Sequence, residues 1–216
     1  MIKKNNFLLK KIYNFPKYVD IRFYFYEKYS KLRGNLSILI NKIFNPQNFK
    51  IGKNYKVWGP IQILIDGKGK IELGENFYAV SSAKRSYITL FSRCKFTSIH
   101  GGKIIIGNNV GINGTVFVSK NLIKIGDNTI IAPNTIIIDH DGHEINNLNS
   151  RINTKDYGKE IEIGKNCWIG MNCIILKGVK IGDNTVIGAG SVVTKSCDKN
   201  CVYAGNPAKK IKDIKK

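Results

Sequence analysis

At 216 residues and 43% hydrophobic content, the chain can bury one substantial core and is not disordered by composition. Its formal charge of +20, from 35 Lys and Arg against 15 Asp and Glu, points to acidic partners: anionic lipid, a phosphorylated cofactor, a polyanionic glycan or nucleic acid. Five cysteines show no C-x-x-C spacing and no disulfide framework, and no stretch approaches the roughly 20 apolar residues of a membrane span.

Residues 1–50 read as basic helical segments. "FLLKKIYNF" and "LSILINKIF" carry aromatic and aliphatic residues at helical spacing with lysines between them. Two uses stay open for such a collar: resting on a membrane surface, or capping the domain or a neighbouring subunit. Lys10 and Lys11 break the opening apolar run, unlike a secretory leader.

From Lys50 the texture changes to short β-rich strings punctuated by Gly and Asn, loosely periodic over 51–100. A six-residue rhythm then places Ile106, Ile112 and Val118, and after one extra residue Ile125, Ile131 and Ile137. The next place in that count is His143, followed by a polar run from Glu144 to Glu160. The rhythm resumes at Ile163, Ile169, Ile175, Ile181, Ile187 and Val193. Four places after the first five stand the compact residues Cys167, Cys173, Val179, Thr185 and Ser191. Cys167 and Cys173 are therefore packing thiols.

A period of six fits neither a helix nor a simple hairpin. It fits a triangular solenoid of short parallel strands, one hexad per side, with the aliphatic inward, the compact residue near the corner and Gly or Asn in the tight turn. The domains expected are a helical segment over 1–50, a coil domain over 51–205 with an active-site loop over 144–160, and a basic tail over 206–216.

The hexads, with "IAPNTIII", "IEIGKNCWIG", "GVKIGDNTVIGAGSVVTK" and "AGNPAKKI", resemble the hexapeptide-repeat acyltransferases, and among them the sugar and polysaccharide O-acetyltransferases (galactoside, maltose, polysialic acid). The resemblance implies a left-handed parallel β-helix and a homotrimer with sites between subunits. Acetyl-CoA would donate to a sugar hydroxyl, with no metal required. An alcohol is a weak nucleophile, so a base must take its proton as it attacks the thioester; histidine suits that task near neutrality. "DGHEI" reproduces the D-x-H-x-I string of the polysialic acid enzymes, which makes His143 the expected general base. Asp141 or Asp139 would orient the imidazole. His140 is a candidate supporting or substrate-contacting group, read here chiefly as a polar loop residue.

The same resemblance puts Trp168 beside the reacting centre. It assigns the coenzyme contacts to Met171, Ala189, Thr194 and Lys195, with Lys209 and Lys212 on the phosphates where the family has arginines. Met171 departs from the family's usual serine, so only its backbone would serve in the same way. Asn113 in "IGNNVGIN" stands where related enzymes hydrogen-bond the acceptor, and Arg151 and Tyr157 are the loop's best groups for gripping a glycan.

The rivals are distinct. A zinc site of the carbonic-anhydrase kind would need His100, His140 and His143 to converge. A nucleic-acid surface would need aromatics interleaved with the basic residues, and they are not. A non-catalytic scaffold would not need His143 with "GAGSVVTK" and "AGNPAKK" together. Within the fold, a transferase for a small free sugar, an amino sugar or serine is the alternative. A bacterial surface polysaccharide or its lipid-linked precursor is the acceptor expected, with the enzyme cytoplasmic, at the inner face of the inner membrane.

Overall fold

A computed structural model of the chain describes residues 21–144, 152 and 157–215. The chain winds round a triangular prism whose three flat sides are parallel sheets, coiled left-handed as the hexads imply. Sheet A holds β1 (Phe49–Ile51), β4 (Lys70–Leu73), β7 (Lys103–Ile106), β10 (Leu122–Ile125), β13 (Ile161–Ile163) and β16 (Lys180–Ile181). Sheet B holds β2 (Lys56–Trp58), β5 (Tyr78–Val80), β8 (Gly111–Asn113), β11 (Ile130–Ile131), β14 (Trp168–Ile169) and β17 (Val186–Ile187). Sheet C holds β3 (Gln62–Ile65), β6 (Lys95–Ser98), β9 (Val116–Ser119), β12 (Ile136–Ile138), β15 (Ile174–Ile175) and β18 (Val192–Val193).

Each inward slot stacks on its equivalent one coil away. Ile112, Ile131, Ile169 and Ile187 form one such column, and Ile137, Ile175 and Val193 another. Every one of them is buried. The inward residue of β9 is Phe117 rather than Val118, because β9 aligns Phe117 with Ile137 and stacks its ring on Phe96 at 4.9 Å. A wide aromatic pair fills the early coils, and the hexad count slips by one there.

The compact residues are buried for a second reason, beyond size. Thr129 and Thr135 donate to the carbonyls of Gly164 and Gly170 at 2.9 Å, and the Cys167 and Cys173 thiols reach those of Gly182 and Gly188 at 3.2 Å. Each thus donates to a corner carbonyl of the next coil, and the Gly188 carbonyl also accepts from the Ser191 hydroxyl at 2.6 Å.

Glycine and asparagine divide the corner work differently from the sequence expectation. At the turn from sheet A to sheet B the left-handed residue is asparagine: Asn54, Asn76, Asn109, Asn128, Asn166 and Asn184 all have φ between 54° and 60°. The preceding glycine has ordinary φ and is required by proximity. A Cβ on Gly126 would lie 2.5 Å from the Gly164 carbonyl carbon of the next coil. The asparagine amides also hydrogen-bond one another along the corner, Asn166 to Asn184 and Asn184 to Asn200, each at 2.8 Å. Asn184→Ala should therefore cost about 2 kcal/mol, from left-handed strain and two lost bonds, whereas Asn184→Gly recovers the strain part. Urea midpoints of the two variants check this.

The helical region is a single described helix, α1 (Ile21–Phe44), covering the open first coil. Ser30, Gly34 and Ile38 face inward: the Ser30 carbonyl accepts from Gly59 N–H at 2.9 Å, and a Cβ on Gly34 would sit 2.1 Å from the Val57 oxygen. "FLLKKIYNF" lies outside the described residues. At the other end, residues 206–215 are not a plain tail. β19 (Cys201–Gly205) and β20 (Ala208–Asp213) make an antiparallel hairpin that extends sheet B past β17.

Two excursions leave the coil. One, described over residues 139–144, 152 and 157–160, lies between sheets C and A, at the break the sequence marks. The other, residues 81–94, departs between sheets B and C and is not marked by the repeat. Its Phe91 N–H and Thr89 carbonyl bond to the Asn134 side chain at 3.0 and 2.9 Å, which lays it down the B-to-C corner.

Candidate active site

The C-to-A corner carries a buried carboxylate where the coil opens. Asp139, directly after β12, has no exposed surface. It accepts from the Ser119 hydroxyl at 2.7 Å, from Lys120 N–H at 2.8 Å and from Asn121 N–H at 2.9 Å. Its Oδ1 also lies 3.1 Å from His140 Nδ1. One coil's corner is thus clamped onto the next, and the excursion starts from a fixed point. The returning strand is tied down beside it, with Lys159 N–H donating to the Asp139 carbonyl at 2.7 Å and Gly178 N–H to the Lys159 carbonyl at 3.1 Å.

The expectation that His140 is chiefly a polar loop residue is corrected: its side chain is only 7% exposed, held between Asp139 and the corner. Of the two candidate orienting carboxylates, Asp139 engages His140, and Asp141 is ion-paired with Lys177. His143 is exposed and bridges to Ile152 in antiparallel fashion. The tether from Asp139 therefore ends four residues short of the candidate base. Tyr157 lines a shallow groove at the same corner with Lys103, Lys120 and Asn121, three polar residues that the sequence reading did not single out. The signal for two of them was present in "SKN", one coil before "DHD" and in register with it. Arg151 lies outside the described residues.

Thr194 and Lys195 follow β18 and are exposed at this same corner, since β18 pairs with β15 immediately before Lys177. His100 lies at the corner too, after β6, two coils before the excursion. No group of three potential metal ligands forms among the described residues.

The remaining candidates stand on sheet B. Trp168 opens β14 with its indole 57% exposed on the outer face of sheet B, in register with Ile130, which is also exposed, and with half-buried Val186. Met171 and Ala189 follow at the B-to-C corner of consecutive coils, linked by Gly190 N–H donating to the Met171 carbonyl at 2.8 Å. Lys209 and Lys212 are exposed on β20, on the same sheet. Asn113 ends β8 in a pocket that excursion 81–94 builds with Arg85, Ser86 and Tyr87 over Ile130 and Pro133. Its amide nitrogen donates to the Ser86 hydroxyl at 3.3 Å, while its buried Oδ1 has no hydrogen-bond partner among the described residues.

In a triangular prism each corner lies across the core from one flat side. The C-to-A corner, with His143, Asp141, Thr194 and Lys195, lies across from sheet B, with Asn113, Trp168, Lys209 and Lys212. A single chain therefore holds these candidate residues in two separate places.

Comparison with known proteins completes the description. A family model for Bacterial transferase hexapeptide (six repeats) matches residues 160–195. The galactoside O-acetyltransferase of Escherichia coli K12 is 43% identical over 116 residues, 53% of this chain and 56% of that protein. An E. coli K12 protein bearing the name lipopolysaccharide biosynthesis O-acetyl transferase WbbJ is 33% identical over 157 residues, 68% of this chain and 74% of that one. Among solved structures, a galactoside acetyltransferase in complex with coenzyme A superposes with a TM-score of 0.52 at 27% identity, covering 93% of this chain and 86% of that one. Against several curated relatives the chain spans little more than half of their length.

Proposed function

Because this chain belongs to the hexapeptide-repeat acyltransferase family, we propose that it moves an acetyl group from acetyl-CoA to a sugar hydroxyl, with His143 as the general base. The observation that supports this reading is the buried Asp139 clamp, which fixes the start of the segment that carries exposed His143 four residues on.

In the proposed reaction the His143 imidazole takes the hydroxyl proton as the sugar oxygen attacks the thioester carbonyl. The tetrahedral oxyanion is held by a backbone N–H of the coil. Collapse breaks the carbon–sulfur bond, leaves the O-acetyl ester on the sugar and sends the proton to the departing thiolate. The coenzyme's needs are matched by groups at hand: exposed Trp168 beside the reacting centre, Met171, Ala189, Thr194 and Lys195 for the pantetheine arm and nucleotide, and Lys209 and Lys212 for the phosphates. Lysines supply charge there without the bidentate fork of an arginine. Asn113, Tyr157 and the loop's Arg151 would hold the acceptor, with His140 and Asp139 positioning the segment that carries the base.

Since those two places, read as half-sites, face away from each other in one chain, the reading requires the C-to-A corner of one copy to meet sheet B of the next. A closed ring of three copies satisfies that. The acceptor proposed is a bacterial surface polysaccharide or its lipid-linked precursor, in keeping with the name that WbbJ bears and the +20 charge, and cytoplasmic acetyl-CoA would be the donor. A free sugar, as in the galactoside relative, is the second reading.

Incubation of the purified chain with acetyl-CoA and a panel of neutral and acidic glycans, read by mass spectrometry, tests the activity. The expected product carries one added acetyl that mild alkali removes. An acetyl that survives alkali would mark an amide and overturn O-transfer.

A further inference from the structure

Helix α1 has two apolar faces and uses only one of them inside the domain. Ser30, Gly34 and Ile38 dock on the first coil. Opposite them Phe25, Tyr29, Leu32, Leu36, Leu39 and Ile43 form a continuous outward stripe, spaced four and three residues apart along the helix. Each is at least half exposed, Leu32 reaching 66%. From Phe25 to Ile43, at about 1.5 Å per residue, the stripe is roughly 27 Å long.

The charges around it are sorted. Lys28, Lys31 and Lys42 run along one border and Arg22 and Arg33 along the other, so the stripe is edged by cations on both sides. The helix's one acid, Glu27, turns toward the domain and pairs with Arg85 at 3.6 Å. The long lysine and arginine stems can extend past the apolar stripe, as they do for side chains at a water–lipid boundary.

We infer that this outward face of α1 lies in the headgroup region of an anionic bilayer, with the apolar stripe buried and the flanking lysines and arginines on lipid phosphates. A second copy of the helix fits less well. The four-three spacing suits a coiled pair, but Lys28 and Arg33 would then occupy the flanking positions and face cations of the same sign. The helix caps the first coil, so a bilayer against it would leave the C-to-A corner and sheet B open. The inference rests on the proposed lipid-linked or surface-polysaccharide acceptor only for its purpose. The binding itself is tested without any acceptor.

The experiment is sedimentation of the full chain with vesicles of phosphatidylcholine alone and of phosphatidylcholine with 40% phosphatidylglycerol (about the anionic content that gives a strong surface potential). Partitioning into the anionic vesicles should exceed that into the neutral ones at least about tenfold and weaken with salt. Leu32→Glu with Leu36→Glu, both at exposed positions, should lower it at least about tenfold. Lys28→Glu with Lys31→Glu should do the same. Acetyl transfer to a soluble acceptor should be unchanged in both variants, which separates a failure here from a failure of the enzymatic reading. Equal sedimentation of wild type and either variant, or no preference for anionic vesicles, overturns the inference. So does the absence of vesicle binding together with dissociation of the assembly by Leu32→Glu, which would assign the face to a second copy.

Discussion

Replacing His143 with alanine is expected to lower the rate of acetyl transfer about 100- to 10,000-fold, the range over which a positioned general base contributes. The loss should fall on kcat. The groups proposed for the coenzyme, from Trp168 to Lys212, are other side chains that the substitution leaves in place, so KM for acetyl-CoA should move little. The melting curve should also hold, because His143 is exposed and outside the core. His140→Ala offers the contrast. Its side chain is buried against Asp139, so it should lower stability and activity together. Initial rates across acetyl-CoA concentrations, with a thermal melt of each variant, distinguish the two. A His143→Ala enzyme retaining a tenth or more of wild-type kcat would remove the base from the mechanism.

The second large effect belongs to Asp139. Asp139→Ala removes a buried carboxylate that accepts from the Ser119 hydroxyl and two backbone N–H groups and lies against the His140 ring; Ser119 keeps the Lys103 carbonyl at 3.1 Å, but the two N–H groups lose their acceptor. Removing one partner of a buried charged network leaves the others uncompensated, and a loss of about 3–5 kcal/mol is expected. The damage should be local first. Amide exchange at Lys120 and Asn121 should accelerate, since their N–H groups lose their acceptor, and kcat should fall with it because the clamp fixes the start of the segment that bears His143. Asp139→Asn keeps the shape and one acceptor oxygen, so it should lie between wild type and alanine. If exchange at Lys120 and Asn121 is unaltered in Asp139→Ala, the clamp does not organise the corner.

The contrast between these two residues shows what a sequence can and cannot convey here. The coil is legible because each short strand contributes one inward aliphatic, so six-residue spacing is a direct print of the prism's sides. Ile163 through Val193 show it without a slip, and all six are buried. The slip at Phe117 is invisible in a count of aliphatics, because an aromatic took the slot and Val118 beside it kept the apparent rhythm. The G-x-N corner was read as a turn, but which residue bends and which merely fits close needs φ and the distance to the next coil. Excursion 81–94 leaves only a gap in the repeat, and its contacts with Asn113 and Asn134 join residues 27 to 45 apart.

Among the candidates, His143 draws attention through its place in the hexad count and through the D-x-H-x-I string, although the structure leaves it exposed rather than in an inward slot. Trp168 and the lysines were legible only through family resemblance. The clamp on Asp139 was not, because in sequence its carboxylate is one of two in "DHDGH" and its partners lie about twenty residues earlier. Sequence spacing also cannot say that the candidate residues fall in two separate places, since that depends on which side of the prism each strand occupies.

Subunit mixing tests the central claim most directly. Chains carrying His143→Ala and chains carrying Asn113→Ala with Trp168→Ala are each expected to be nearly inactive alone. When co-expressed in equal amounts, random assembly into rings should leave about a quarter of the interfaces with an intact corner from one copy and an intact sheet B from the next, and activity should return to about that fraction. If the mixed assemblies form and stay as inactive as their parents, each chain holds its whole site alone and the account is wrong.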